Sequence, residues 1–192
     1  FDYTNLKNKK INQFELMLAG KHNVSNALAA LAVCDELMKD KNFNLEDLRE
    51  AVYSFYGVRR RFDIRINTQE LVFVDDYAHH PKEVEFTIEA AKEFFPQRAL
   101  TVVFQPHLFS RTRDFANEFA GSLSQADQLI LLDIYPAREA PIIGVDSNML
   151  LNLCKNRKKE VCNKNDLLSR LCKSELDVLL TLGAGDIGKL FK

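Results

Sequence analysis

The segment DDYAHHPKE, residues 75–83, places two carboxylates, a phenol and two imidazoles side by side: Asp75, Asp76, Tyr77, His79 and His80. A carboxylate here can hold a ribose hydroxyl or a cation. The imidazoles can contact an anionic or amine substrate and move protons near neutral pH. Helix capping is the competing explanation, since Pro81 follows at once, but a cap needs only one of these side chains. A second group lies in FQPHLFSRTRD, residues 104–114, with His107, Arg111 and Arg113 around a strand-to-helix turn. Arginine at such a turn can clamp a carboxylate or phosphate bidentately, helped by helix N-terminal amides. As merely solvated residues, the same arginines would oppose the helix dipole.

Weaker motifs surround these two. GVRRRF (57–62) packs Arg59, Arg60 and Arg61 together, which reads as a solvated charge run or as a phosphate contact. GAGDIG (183–188) lacks the full dinucleotide spacing and reads as a tight turn that lets a ligand approach the backbone. GKHNVSN (20–26) brings His22, Asn23 and Asn26 to a helix start. Asn23 suits an N-cap, whereas Asn26, a turn further in, is not explained by capping and can read a base edge through its amide. A zinc site from His79, His80, His107 and an aspartate is disfavoured: adjacent histidines on a turn point apart, and no i, i+4 histidine or cysteine completes a set. No metal ligands are therefore assigned. No G-x-x-x-x-G-K-[ST] occurs, because Glu15 stands five before Gly20 and His22 follows Lys21. The main phosphate cradle for any ATP lies outside this chain.

The elements that must carry these residues follow from apolar periodicity. Leu71–Val74, 99–104, 128–135 and 177–182 are continuous apolar runs, and each ends in one of the polar turns. Helical patterns follow: Val84, Ile88 and Ala91 after Pro81; Phe115, Phe119 and Leu123 after the second run; a helix around Met149–Cys154 after the third. Buried strands alternating with amphipathic helices predict an α/β fold, a mostly parallel sheet covered on both faces. Ligands bind such sheets beyond the carboxyl ends of the strands, and three of the four histidines fall there. Residues 1–58 read differently. They offer a helix after Asn23 with Val24, Leu28, Leu31 and Leu37, and a second capped by Asn44 with Leu45, Leu48, Val52 and Phe55. Two lone amphipathic helices need a partner, so 1–58 reads as the end of a larger domain and 59–192 as a second domain.

Composition narrows the function. Among 192 residues, 46% are hydrophobic and 28% charged, which excludes a disordered chain. Lys+Arg (26) nearly balances Asp+Glu (27), so nothing points to nucleic acid or a membrane surface. No apolar run approaches the ~18 residues of a membrane span, and the first residues lack a signal-peptide layout. Cys34, Cys154, Cys162 and Cys172 show no CxxC spacing and read as reduced thiols of a soluble cytoplasmic protein.

Taken together, GKHNVSNALAALAV, GVRRRFD, VDDYAHHPKE, FQPHLFSRTRDFA, DIYPAREAPIIGV and LTLGAGDI resemble the Mur ligases of peptidoglycan synthesis, in the family's order. FQPHLFSRT is most similar to the alanine-adding members. The resemblance implies a parent with a UDP-sugar domain, a central ATPase domain and a Rossmann-like carboxy-terminal domain. This chain would supply the mainly helical end of the central domain and all of the third. It implies an ATP- and Mg2+-dependent ligase that activates the carboxylate of UDP-N-acetylmuramate to an acyl phosphate, which the L-alanine amine attacks. By resemblance, Asn23 and Asn26 contact adenine with His22 beside them, Arg61 faces the phosphates, and Asp76 faces the nucleotide. Tyr77, His79, His80, His107 and Arg111 line the alanine and sugar-nucleotide side, with Asp76, His79 and Arg111 closest to the chemistry. Many relatives carry a basic residue where Leu108 stands, which leaves the amino-acid carboxylate to Arg111 or a neighbour such as Arg113. Two other readings are a peptide-recycling Mur ligase that adds a tripeptide, and a non-catalytic nucleotide- or partner-binding module. The isolated chain is expected to be inactive.

Overall fold

The computed structural model describes residues 1–4, 10–11, 13–18, 21–37 and 45–191, and it divides into two compact units, Phe1–Gly57 and Val58–Lys192.

In the first unit a short antiparallel pair, β1 (Tyr3–Thr4) and β2 (Lys10–Ile11), accompanies two helices, α1 (Lys21–Leu37) and α2 (Leu45–Tyr53). Tyr3, Phe14 and Leu31 form a small core, against which Leu28, Leu48 and Val52 pack. Three expectations change here. Helix α1 begins at Lys21, so Asn23 lies inside its first turn and does not cap it. The apolar stripe ends before Leu37, which is exposed at the last position of the helix. Phe55 follows α2 and is exposed. Asn44 lies outside the described residues.

The second unit is built on a six-stranded sheet: β3 (Asp63–Asn67), β4 (Val72–Asp76), β5 (Leu100–Phe104), β6 (Gln128–Leu132), β7 (Lys158–Cys162) and β8 (Val178–Leu182). The order across the sheet is β3-β4-β8-β5-β6-β7, with β3 antiparallel to β4 and every other pair parallel. Strands β4, β5 and β8 are buried along their whole length, as their unbroken apolar runs require of strands covered on both faces. Phe73, Val103, Ile130, Leu132 and Leu179 face one side, where α7 (Leu167–Leu171) contributes Leu167 and Leu171, and Ile187 closes the cluster. On the other side lie α3 (Pro81–Phe94), α5 (Ala116–Leu123) and α6 (Ser147–Leu153), packed in that order. They bring buried Val84, Ile88, Phe119, Leu123 and Leu150. The helix expected to run through Phe115 is broken there: α4 (Phe109–Asp114) and α5 meet at Phe115 with a non-helical backbone. Strands β3 and β7 carry no strong apolar pattern. Among the described residues no helix is long and apolar enough to cross a membrane.

Candidate functional site

Four strands of this sheet, β4, β5, β6 and β8, run parallel, so the turns that follow them gather at one edge. After β4 comes 77–80, after β5 105–108, after β6 133–139, and after β8 the glycine turn 183–186. The turns are joined by the backbone: Leu108 N–H donates to Tyr135 O (2.9 Å), Tyr135 N–H to Pro106 O (2.8 Å), and Gly183 N–H to Asp76 O (3.3 Å).

An aromatic row crosses this edge. Tyr77 and His79 lie 5.2 Å apart between ring centroids, His79 and His107 5.9 Å, and His107 and Tyr135 5.6 Å in a stacked arrangement. His79 Nδ1 sits 3.0 Å from Tyr77 O and 3.4 Å from Glu83 Oε2. Both neighbours are acceptors, so Nδ1 carries the proton and Nε2 of the neutral ring keeps its lone pair. Glu83 holds this turn from the first turn of α3, accepting His79 N–H at 3.0 Å and His80 N–H at 3.2 Å. Burial raises the Glu83 carboxyl, but these N–H groups, the His79 ring and Arg61 outweigh it and set it below the ordinary value.

His107 and Arg111 carry unpaired polar atoms. Among the described residues, His107 Nδ1 and Arg111 Nη1 are buried side-chain atoms without a hydrogen-bond partner. Desolvation lowers the His107 pKa, the neighbouring Arg111 and His79 lower it further, and Glu139 opposes them. The His107 ring is therefore biased towards the neutral form. Unpaired buried polar atoms lose hydration with nothing in return, and the Arg111 guanidinium, which can only donate, suits the position to an anionic group. The turn between them is tightly drawn: Leu108 has φ +73°, and its carbonyl receives both Thr112 N–H (3.1 Å) and Thr112 Oγ–H (2.8 Å).

The other expected residues divide. The Asp76 carboxylate is buried, and both its oxygens are engaged by backbone N–H groups, Phe62 at 2.6 Å and Ala78 at 2.7 Å. Burial pushes its pKa up, the Phe62 and Ala78 N–H groups and Arg61 pull it down, and Asp75 adds to the rise; the net direction is upward. Tyr77 is exposed, with the Arg60 guanidinium 5.0 Å above its ring. His80 is exposed and turns its ring to Phe115, 5.1 Å away, outside the His79–His107 row. Arg61 is exposed beside the Asp76 turn, whereas Arg113 pairs with Asp114. In the first unit, His22 lies in the first turn of α1; Asn23, half-buried, and Asn26, exposed, follow three residues apart on one face.

Several residues that the sequence places at this edge or in GVRRRF without a role of their own hold the edge together. Arg60, one of three adjacent arginines, is the structural one. Its Nε donates to Asp75 (3.3 Å) and its guanidinium reaches the carbonyls of Gly183 and Gly185. Thr181 Oγ–H donates to the other Asp75 oxygen at 2.7 Å. Gln105 bridges the glycine turn, donating to Asp186 (3.0 Å) and accepting Ile187 N–H (3.0 Å), while Lys164 pairs with Asp186. At Gly185 a Cβ would collide with Gln105 and Tyr135, and Gly183 has φ +143°, so the turn requires glycine at both positions. Glu139 accepts Ser110 N–H at 2.9 Å and also the Ser110 hydroxyl. Among the described residues no group of three or more His, Cys, Asp or Glu could hold a metal ion.

Comparison with known proteins places this arrangement. Residues 60–185 match the family described as Mur ligase, glutamate ligase domain. The UDP-N-acetylmuramate–L-alanine ligase of Flavobacterium psychrophilum is 47% identical over 182 residues, 95% of this chain and 40% of that protein. The ligase of the same name from Christiangramia forsetii is 47% identical over 184 residues, 96% of this chain and 39% of its own length. Among solved structures, the UDP-N-acetylmuramate–alanine ligase of Thermotoga maritima superposes with a TM-score of 0.76 at 28% identity, covering 98% of this chain and 42% of that one. A folylpolyglutamate synthase of Mycobacterium tuberculosis, solved with ADP and AMPPCP, shares the fold with a TM-score of 0.72 at 13% identity, over 96% of this chain and 42% of its own. The chain thus spans about two fifths of the length of the curated relatives it matches.

Proposed function

That the chain belongs to the Mur ligase family is the premise from which we propose that it is the carboxy-terminal part of a cytoplasmic, ATP-dependent ligase joining L-alanine to UDP-N-acetylmuramate. One observation carries the amino-acid side of this reading: the buried, unpartnered Arg111 Nη1 and His107 Nδ1 beside His79. A zwitterionic amino acid matches that set. Its carboxylate satisfies Arg111 and the His107 N–H in a charge-assisted bond. Its ammonium can lose a proton to the lone pair on His79 Nε2, leaving the amine able to attack an acyl phosphate. Tyr77 and Tyr135 flank the row at either end.

The nucleotide side is carried less by this chain. Exposed Arg61 fits a phosphate contact, and Asn23 and Asn26 fit an amide reading of adenine. Asp76 does not fit a direct nucleotide contact as it stands, because both its oxygens already take backbone N–H groups. Mg2+ would shield the charge of the ATP phosphates, and its ligands belong outside these residues. The 47% identity to the UDP-N-acetylmuramate–L-alanine ligase of Flavobacterium psychrophilum supports alanine as the amine. The test is phosphate release by the complete ligase with UDP-N-acetylmuramate, ATP and either L-alanine or a peptidoglycan tripeptide. Release that depends on L-alanine supports the reading, and release with the tripeptide alone refutes it. The isolated chain should release none.

A further inference from the structure

The residues of the alanine side sit on a turn that cannot hold itself. Helix α4 has six residues, the residue before it is Leu108, and no side chain of its own caps it. Apolar Leu108 at φ +73° cannot accept an orphan N–H. The acceptor instead comes from a different turn: Glu139, in the loop after β6, takes Ser110 N–H at 2.9 Å and the Ser110 hydroxyl. Glu139 N–H donates to Pro136 O (2.9 Å), which closes its own turn, and Tyr135 O receives Leu108 N–H. The 135–139 loop is therefore a template for 106–111. The two Ser110 bonds, with the Phe109 N–H and Arg111 behind them, outweigh desolvation and lower the Glu139 pKa. Arg111 Nη1, although close to that carboxylate, remains without a partner.

We infer that Glu139 is a positioning residue for the amino-acid site: it caps α4 from outside and so presents Arg111 and His107 with their donors unpaired. A carboxylate bonded to Arg111 itself would compete with the substrate carboxylate. By engaging Ser110 through both oxygens, Glu139 keeps its negative charge near the site without occupying the guanidinium. The inference rests on the amino-acid reading above, and its test separates the two.

In the complete ligase, Glu139→Ala should raise the L-alanine KM about 10–100-fold, the scale of a small misplacement of a binding group, with the ATP KM and kcat near the parent's. Glu139→Gln retains one acceptor and should fall between. Ser110→Ala combined with Glu139→Ala should be little worse than Glu139→Ala alone, because the two act through one contact. Within the 192-residue chain, nitrogen-15 NMR of Glu139→Gln should show the Ser110 amide moving upfield and losing exchange protection. The His107 titration should move to lower pH, since a raising charge has gone. If Arg111→Ala raises the alanine KM but Glu139→Ala does not, the positioning role is overturned and the site reading stands. If neither variant affects alanine, both fail. If Glu139→Gln lowers kcat and raises every KM together, Glu139 is merely structural and the inference is wrong.

Discussion

Replacing Asp76 with alanine separates a backbone latch from a ligand contact. Asp76 is 7% exposed, and its carboxylate takes two N–H groups, at 2.6 and 2.7 Å. Hydrogen bonds to a charged acceptor contribute about 1.5–3 kcal/mol each, so the pair sets an upper bound of roughly 3–6 kcal/mol. Burial works against that bound, since desolvation is the largest influence on this group and drives its pKa up. Removing the charge returns part of the loss, and a net destabilisation of about 2 kcal/mol is expected. With a urea dependence of ~1–3 kcal/mol per molar, the unfolding midpoint of the Val58–Lys192 unit should fall by roughly 1 M. Amide exchange localises the effect: Phe62 and Ala78 should lose protection while β5 and β6 keep theirs. Asp76→Asn should also destabilise, because its amide oxygen satisfies one donor and its NH2 faces the other. A midpoint within ~0.3 M of the parent's, with Phe62 and Ala78 still protected, would refute the latch.

Other predictions address the site and the thiols. In the complete ligase Arg111→Ala should weaken L-alanine by about 10–150-fold, from roughly 1.5–3 kcal/mol for a charged hydrogen bond. Lysine should rescue only in part, and steady-state kinetics with each substrate varied is the check. His107 has its pKa lowered by folding, so as acid is added the unfolded chain binds this proton first, near pH ~6.5. Stability from this group is full above ~pH 6.5 and declines as pH falls towards the folded value, and His107→Gln should flatten that part of the urea-midpoint profile. Among the thiols, exposed Cys172 should react first with a thiol-specific disulfide reagent at pH 8. Buried Cys154, pushed up to about 11 by desolvation, should react only on unfolding, as mass spectrometry of the labelled chain would show.

What could be read from the sequence follows burial. β4, β5, β6 and β8 were legible because strands covered on both faces leave uninterrupted apolar runs. β3, DIRIN, and β7, KKEVC, are edge strands with mostly exposed or half-buried residues, and their charged composition conceals them. The break at Phe115 was hidden because Phe115, Phe119 and Leu123 keep helical spacing through it. The meeting of His79 and His107 followed from topology, since parallel strands must deliver their turns to one edge. Which arginine of GVRRRF turns inward did not, because Arg59, Arg60 and Arg61 are chemically identical and only the positions of Asp75 and the glycine turn distinguish them. Topology likewise put Glu139 at this edge but did not give its role: it acts on Ser110 across 29 residues of sequence, and no local pattern marks such a pairing.

The place of β8 has a consequence for how the chain reaches this state. The strand order puts β8 between β4 and β5, although β4, β5, β6 and β7 all precede it in the chain. As the polypeptide emerges from the ribosome, β3-β4 and β5-β6-β7 form two half-sheets, and β4 and β5 wait with bare, apolar edges until residues 178–182 appear. Assembly is thus gated by its last strand, and non-local pairing of this kind is slow. A chain stopped before Val178 would not lose one strand from a sheet; it would leave two fragments with complementary sticky edges, prone to pair with those of another copy.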